Sequence, residues 1–128
     1  MVHAEKIVTA VARGTVNTRW RDFADIYLLS RRHSLDGAGL TASVRQVARH
    51  RRVDLVPLAR ALDGYGEIGQ ARWAAWRRKQ QLEDRVPAAF GEVISAVVAF
   101  ADPVIADSAA GLAWDPASGA WSSVADRG

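Results

Sequence analysis

The stretch EKIVTAVARGTVNTRWRDFADIYLL, residues 5–29, decides how this chain begins to fold. Ala4, Ile7, Val8 and Val11 make one apolar stripe at helical spacing, which predicts a helix from about His3 to Arg13. Gly14 stands where a left-handed cap closes such a helix. TVNT supplies the break, with Asn17 or Thr18 as N-cap of a second helix from about Arg19 to Arg32. Trp20, Phe23, Ala24, Tyr27 and Leu28 are its expected buried face. So short a connection makes the two helices antiparallel neighbours. At about 1.5 Å per residue, Lys6 lies about 12 Å before Gly14, Asp25 about 10 Å beyond Thr18 and Asp22 about 6 Å beyond it. Lys6 is therefore expected nearly level with Asp25.

Working outward, HSLDGAG reads as a loop, and Leu40, Val44, Val47 and Ala48 mark a third helix ending near RHRR. Pro57 opens a short helical segment over LARALDG, and a basic amphipathic helix covers about Ile68 to Leu82. Pro87 suits the first turn of a last helix running to about Asp102, ahead of Pro103. No strand alternation precedes residue 110, so the expected fold class is all-α, a bundle of about five to six helices over residues 1–105. Residues 106–128 read as a separate tail. There DPASG, between Trp114 and Trp121, has the composition of a type I turn, compatible with a small hairpin or a docked loop, and the residues after Ser122 are expected to fray.

At 128 residues the length suits one domain with its own core. VISAVVAF at 93–100 is far shorter than the roughly 20 apolar residues of a membrane span. The absence of cysteine excludes disulfides and thiolate metal sites, and with no signal-peptide pattern the expected location is the cytoplasm. From Arg31 to Arg85 there are twelve Arg or Lys against six Asp or Glu. Arginine forks suit phosphate, although a solvated basic face has the same composition.

A lysine beside carboxylates serves nucleotide chemistry: the ammonium binds phosphate oxygens, and a carboxylate holds a divalent ion or orients an attacking hydroxyl. Spacing alone favours an ordinary surface role, with Asp22 stabilising a helix N-terminus and Arg21 pairing with Asp25 at i, i+4. Other constellations are weaker. His3, His33 and His50 share no metal-ligand spacing, and Ser30, Ser34 and Ser43 sit in no nucleophile motif. Gly37, Gly39, Gly64, Gly66 and Gly69 follow no strand and read as loop or cap glycines. Trp73 and Trp76, three residues apart on an amphipathic helix, are expected to close the core in preference to stacking bases.

The compound pattern of Glu5 and Lys6, then Arg19, Arg21, Asp22, Asp25 and Ile26, resembles the C-terminal signature of the AbiEii/AbiGii family of nucleotidyltransferase toxins, over about residues 3–105. The resemblance implies nucleotide transfer from a nucleoside triphosphate to RNA, with tRNA the acceptor class. It implies catalytic roles for Lys6, Asp22 and Asp25, and phosphate or RNA binding by Arg13, Arg19 and Arg21. It also implies Mg2+, with Asp22 or Asp25 as a ligand in an intact enzyme, and partners in an N-terminal nucleotidyltransferase lobe and an antitoxin. Enzymes of that type carry a G-S turn and a D-x-D pair in the N-terminal lobe, and this sequence contains neither. The expectation is a truncated or split toxin, inactive by itself. A non-catalytic basic module binding RNA or a protein, and an inactive gene remnant, are the alternatives.

Overall fold

The computed structural model describes residues 2–16 and 19–123. Helix α1 (Val2–Arg13) ends at Gly14, whose φ of 52° is the left-handed cap expected there, and the chain continues through a 3-10 turn, Gly14–Val16. Helix α2 (Trp20–Ser30) runs back beside α1. The Asn17 or Thr18 cap lies outside the described residues; Arg19 takes the N-cap position without a side-chain cap bond. Then come strand β1 (Leu35–Asp36) and helices α3 (Gly37–Arg51), α4 (Leu58–Ala61), α5 (Tyr65–Ile68), α6 (Gln70–Lys79) and α7 (Phe90–Ile105). Strands β2 (Leu112–Asp115) and β3 (Ala120–Ser123) complete the order.

The buried set runs through Ile7, Val8, Phe23, Ile26, Val44, Leu58, Trp73, Val93 and Val97, so the helices share one core. Helix α7 lies at its centre, in contact with α2 through α6. Phe90, at its N-terminus, packs against Trp20, Phe23, Tyr65 and Trp73 at centroid distances of 5.4, 5.5, 5.3 and 5.1 Å. The Trp73 side chain is fully buried and Trp76 is half-buried at 5.5 Å from it, as expected of core tryptophans.

Two helix starts with no capping residue of their own are capped from elsewhere. Neither Ala89, before α7, nor Pro57, before α4, makes a side-chain cap bond. The Gln70 amide oxygen accepts from the Phe90 N–H at 2.7 Å, while its NH2 group donates to the Ala88 carbonyl at 3.0 Å. The Asp102 carboxylate accepts from the Leu58 and Ala59 N–H groups at 2.7 and 3.1 Å. Each device satisfies donors that a helix start leaves open.

The all-α expectation is corrected on one point: there is a three-stranded antiparallel sheet, ordered β1-β2-β3, with Leu35 opposite Trp114 and Trp114 opposite Trp121. β1 comes from the segment read as a loop, because two residues carry no alternation for a strand pattern to show. Of the helix expected over 68–82, α6 covers Gln70–Lys79, while Ile68 ends the separate short helix α5 ahead of Gly69, and α7 continues through Pro103 to Ile105. A proline inside a helix costs about 3 kcal/mol. Burial of Val104 and Ile105 beyond it opposes that cost. In the tail, the hairpin alternative is the one found. Trp114 is buried and its indole N–H donates to the Ser30 carbonyl, while the Trp121 indole donates to the Phe100 carbonyl at 3.0 Å.

Gly37, read as a loop glycine, is the buried first residue of α3. A Cβ there would run into the Ala109 carbonyl oxygen and lie 2.9 Å from that of Leu112, both backbone atoms. A Cβ on Gly91, within α7, meets nothing within 4 Å. Gly37→Ala is therefore expected to destabilise by about 1–3 kcal/mol or more, whereas Gly91→Ala should be neutral or stabilise by up to about 1 kcal/mol. Urea unfolding of both variants checks this; a harmless Gly37→Ala would refute the packing of the sheet against α3.

Candidate functional site

One face of α2 is consumed by the core. Phe23, Ala24 and Ile26 are buried there, so Asp22 and Asp25, three residues apart, face α1 along its edge. On α1, Ala4, Ile7, Val8 and Val11 take the inward positions and leave Lys6 at the boundary. The Lys6 Nζ lies 3.0 Å from Asp22 Oδ1 and 3.1 Å from Asp25 Oδ2. The hairpin thus brings all three together, with the two carboxylates equally close. Their side chains are 21%, 16% and 29% exposed respectively, in the order Lys6, Asp22, Asp25, so the cluster is partly dehydrated yet reachable.

Clefts open on both sides of Lys6. One, of about 320 Å³, is lined by polar residues throughout: Glu5, Lys6, Thr9, Arg19, Asp22 and Arg51. Arg51 reaches it from the last turn of α3, donating to Thr9 Oγ1 at 2.9 Å and lying 3.7 Å from Glu5 Oε2. The other, of about 310 Å³, has Leu28, Leu29 and Leu82 in its wall and Lys6, Arg21, Arg32, Arg85 and Asp25 as its charges. Arg21 does not pair with Asp25. It donates to Gln80 Oε1 at 2.8 Å and lies 5.4 Å from the Trp76 ring centre, which fastens α2 to α6.

Of the arginines expected to hold phosphate, Arg19 and Arg21 line one cleft each. Arg13 ends α1 two turns beyond Lys6 and lines neither. Sequence reasoning missed Arg32, Arg51, Arg85 and Thr9. The excess of Arg and Lys between Arg31 and Arg85 flagged positive charge, but only helix packing decides which of those arginines turns toward Lys6.

The described residues do not by themselves fit a Mg2+ site. No group of three or more His, Asp or Glu among them converges, and the Lys6 ammonium stands between Asp22 and Asp25 where a cation would have to sit. His3 and His33 do approach, with ring centroids 6.5 Å apart, but His50 does not join them as a third ligand. Burial, and then the charge of His33, lower the His3 pKa from 6.5.

A lysine held between carboxylates, beside clefts edged with arginine, suits anionic, phosphate-bearing ligands. A family model described as nucleotidyl transferase AbiEii toxin, type IV TA system, matches residues 1–98. The chain belongs to this AbiEii family of nucleotidyltransferase toxins of type IV toxin-antitoxin systems. The match takes in the Lys6 cluster and most of α7 and stops before β2 and β3. No curated protein and no solved structure matches the chain. Among the described residues, no helix is long and apolar enough to cross a membrane.

Burial alone would lower the Lys6 pKa, but the hydrogen bonds to Asp22 and Asp25 and their negative charges outweigh it and raise it above 10.5. Unfolded Lys6 loses its proton near pH 10.5 while the folded ammonium keeps it, so the stabilisation is complete below that pH and is lost as pH rises through the folded value. Tyr65, its pKa raised by burial against a lowering by Arg72, weakens the fold in the same direction. Comparison with Lys6→Gln isolates the lysine. The expected result is a gap in urea midpoint between wild type and variant that is constant through neutral pH and shrinks above about pH 10.5. A gap unchanged through strong alkali would contradict the coupling.

Proposed function

We propose that residues 1–105 are the helical lobe of a toxin that transfers a nucleotide from a nucleoside triphosphate to RNA, with tRNA as acceptor class. The observation that carries this reading is Lys6 held at 3.0 and 3.1 Å between Asp22 and Asp25. An ammonium has three N–H donors. Two face the aspartates, and the third is available to a phosphate oxygen in the adjoining polar cleft. Arg19 and Arg51 add positive charge in that cleft, Arg21 serves the other, and Arg13 suits a phosphate farther along the strand.

Asp25 or Asp22 accepts the proton of the acceptor hydroxyl as its oxygen attacks the α-phosphorus and pyrophosphate leaves. Charge building on the phosphoryl oxygens meets fixed cations, which is where such transfers gain most of their acceleration. The metal-nucleotide is held by a lobe carrying the G-S turn and D-x-D pair, the first partner in this reading. An antitoxin is the second, and the cytoplasm is the setting.

The test joins this chain to such a lobe and follows transfer of labelled nucleotide to RNA. Lys6→Ala and Asp25→Asn are each expected to reduce turnover at least tenfold, about 1.4 kcal/mol of barrier, with the fold retained. The 128 residues without the lobe are expected to label no RNA. Unchanged turnover in Lys6→Ala would remove Lys6 from the active site.

A further inference from the structure

We propose that the cleft at the C-terminal end of α3, which shares no lining residue with the two beside Lys6, docks an unpaired segment of single-stranded nucleic acid. Its phosphates would lie on Arg49 and Arg52 and a base on the apolar floor between them. The cleft is about 600 Å³, with Arg45, Arg49 and Arg52 at its rim and Val53, Leu55 and Ile105 below. The three arginines stand at i, i+4 and i+7, about 10 Å from first to last along the helix. Arg45 is partly offset by Asp107 at 3.4 Å. Among the described residues Arg49 and Arg52 engage no carboxylate, so their forks are open to a ligand.

The end of the helix places one of these arginines. Arg52 caps α3 in the left-handed conformation, φ 56° and ψ 47°. For a residue with a side chain that costs about 1–2 kcal/mol, and glycine is the usual occupant. Gln81 and Asp107 take the same conformation after α6 and α7, so it is a helix-end cap, and at α3 it places the Arg52 side chain at the cleft. Arginines alone would suit an acidic peptide as well. A nucleotide brings a phosphate for an arginine fork and, on the same unit, a flat uncharged base to cover the apolar floor of Val53, Leu55 and Ile105, a pairing that a run of acidic side chains lacks. Asp54, which also lines the cleft, disfavours phosphate directly above it and restricts the strand to the arginine side. The proposal stands whether or not Lys6 is catalytic.

The probe is a fluorescein-labelled single-stranded RNA of about twelve nucleotides, with binding to the full chain followed by anisotropy. Arg45→Gln/Arg49→Gln/Arg52→Asn is expected to weaken binding at least tenfold and to lower the slope of log K against log salt by about 0.7 for each phosphate no longer neutralised. Asn tolerates the left-handed backbone, so the melting temperature should hold or rise. A control, Arg60→Gln/Arg78→Gln/Lys79→Gln, removes equal charge outside the cleft and is expected to weaken binding less than threefold. Asp54→Asn should tighten it. Equal weakening by the two triple variants would overturn the site. Binding of a duplex as tightly as of the single strand, or displacement of the RNA by polyglutamate at equal charge, would overturn the assignment to unpaired nucleic acid.

Discussion

Phe90 is where α7 meets three other helices, because four aromatic rings from them close on it. Trp20 and Phe23 come from α2, Tyr65 from α5 and Trp73 from α6, all with centroids within 5.5 Å. Each such contact contributes about 0.5–1.5 kcal/mol beyond the area it buries. The larger consequence is orientational. With Trp20 and Phe23 committed to Phe90, α2 has one allowed rotation about its axis, and that rotation presents Asp22 and Asp25 to α1. The acidic half of the candidate site is set by a hydrophobic cluster on the opposite side of its helix.

The position of Phe90 depends in turn on hydrogen bonds made across the fold. Gln70 holds its N–H, the Trp73 indole donates to the Pro87 carbonyl at 3.1 Å, and Arg77 donates to the carbonyls of Val86 and Glu83 at 3.0 and 2.6 Å. Helix α6 thus satisfies the chain that leads into α7. Without those donors the part-buried carbonyls of Val86 and Pro87 would lose their partners, at a cost of about 1–3 kcal/mol each where water cannot reach them, while the exposed Glu83 carbonyl would turn to solvent. At the other end of α7, Phe100 receives Trp114 and Trp121 at 4.9 and 6.0 Å, so the hairpin packs on the same helix.

Charge is arranged on the outside of this frame with little redundancy. One ammonium answers two carboxylates at Lys6, and arginines from α2, α3 and the segment after α6 stand around it. The cluster is partly exposed, so its attraction is damped by water and its contribution to stability is modest. What it gains from the fold is position. Two helices that the core holds rigidly keep three charged groups within hydrogen-bond reach, which is the condition for acting on a phosphate in common.

The α1–α2 hairpin was legible in residues 5–29 because every determinant is local: helical spacing of apolar residues, a glycine at the turn, and a fixed rise per residue that levels Lys6 with Asp25. The same rules gave α3, the short turn after Pro57 and the core role of Trp73. They failed where a distant contact replaced a local signal. Leu35 and Asp36 are a strand only because β2 lies beside them. Helix α7 passes Pro103 because the residues beyond it have a core to enter. Arg21 leaves Asp25 for Trp76 and Gln80, and Arg51 turns to Thr9 while its neighbours Arg49 and Arg52 line another cleft. The sequence by itself determined the helices, their first pairing and the family. Only the tertiary structure decided which arginines gather and where a sheet forms, since those depend on groups dozens of residues apart whose meeting no local pattern encodes.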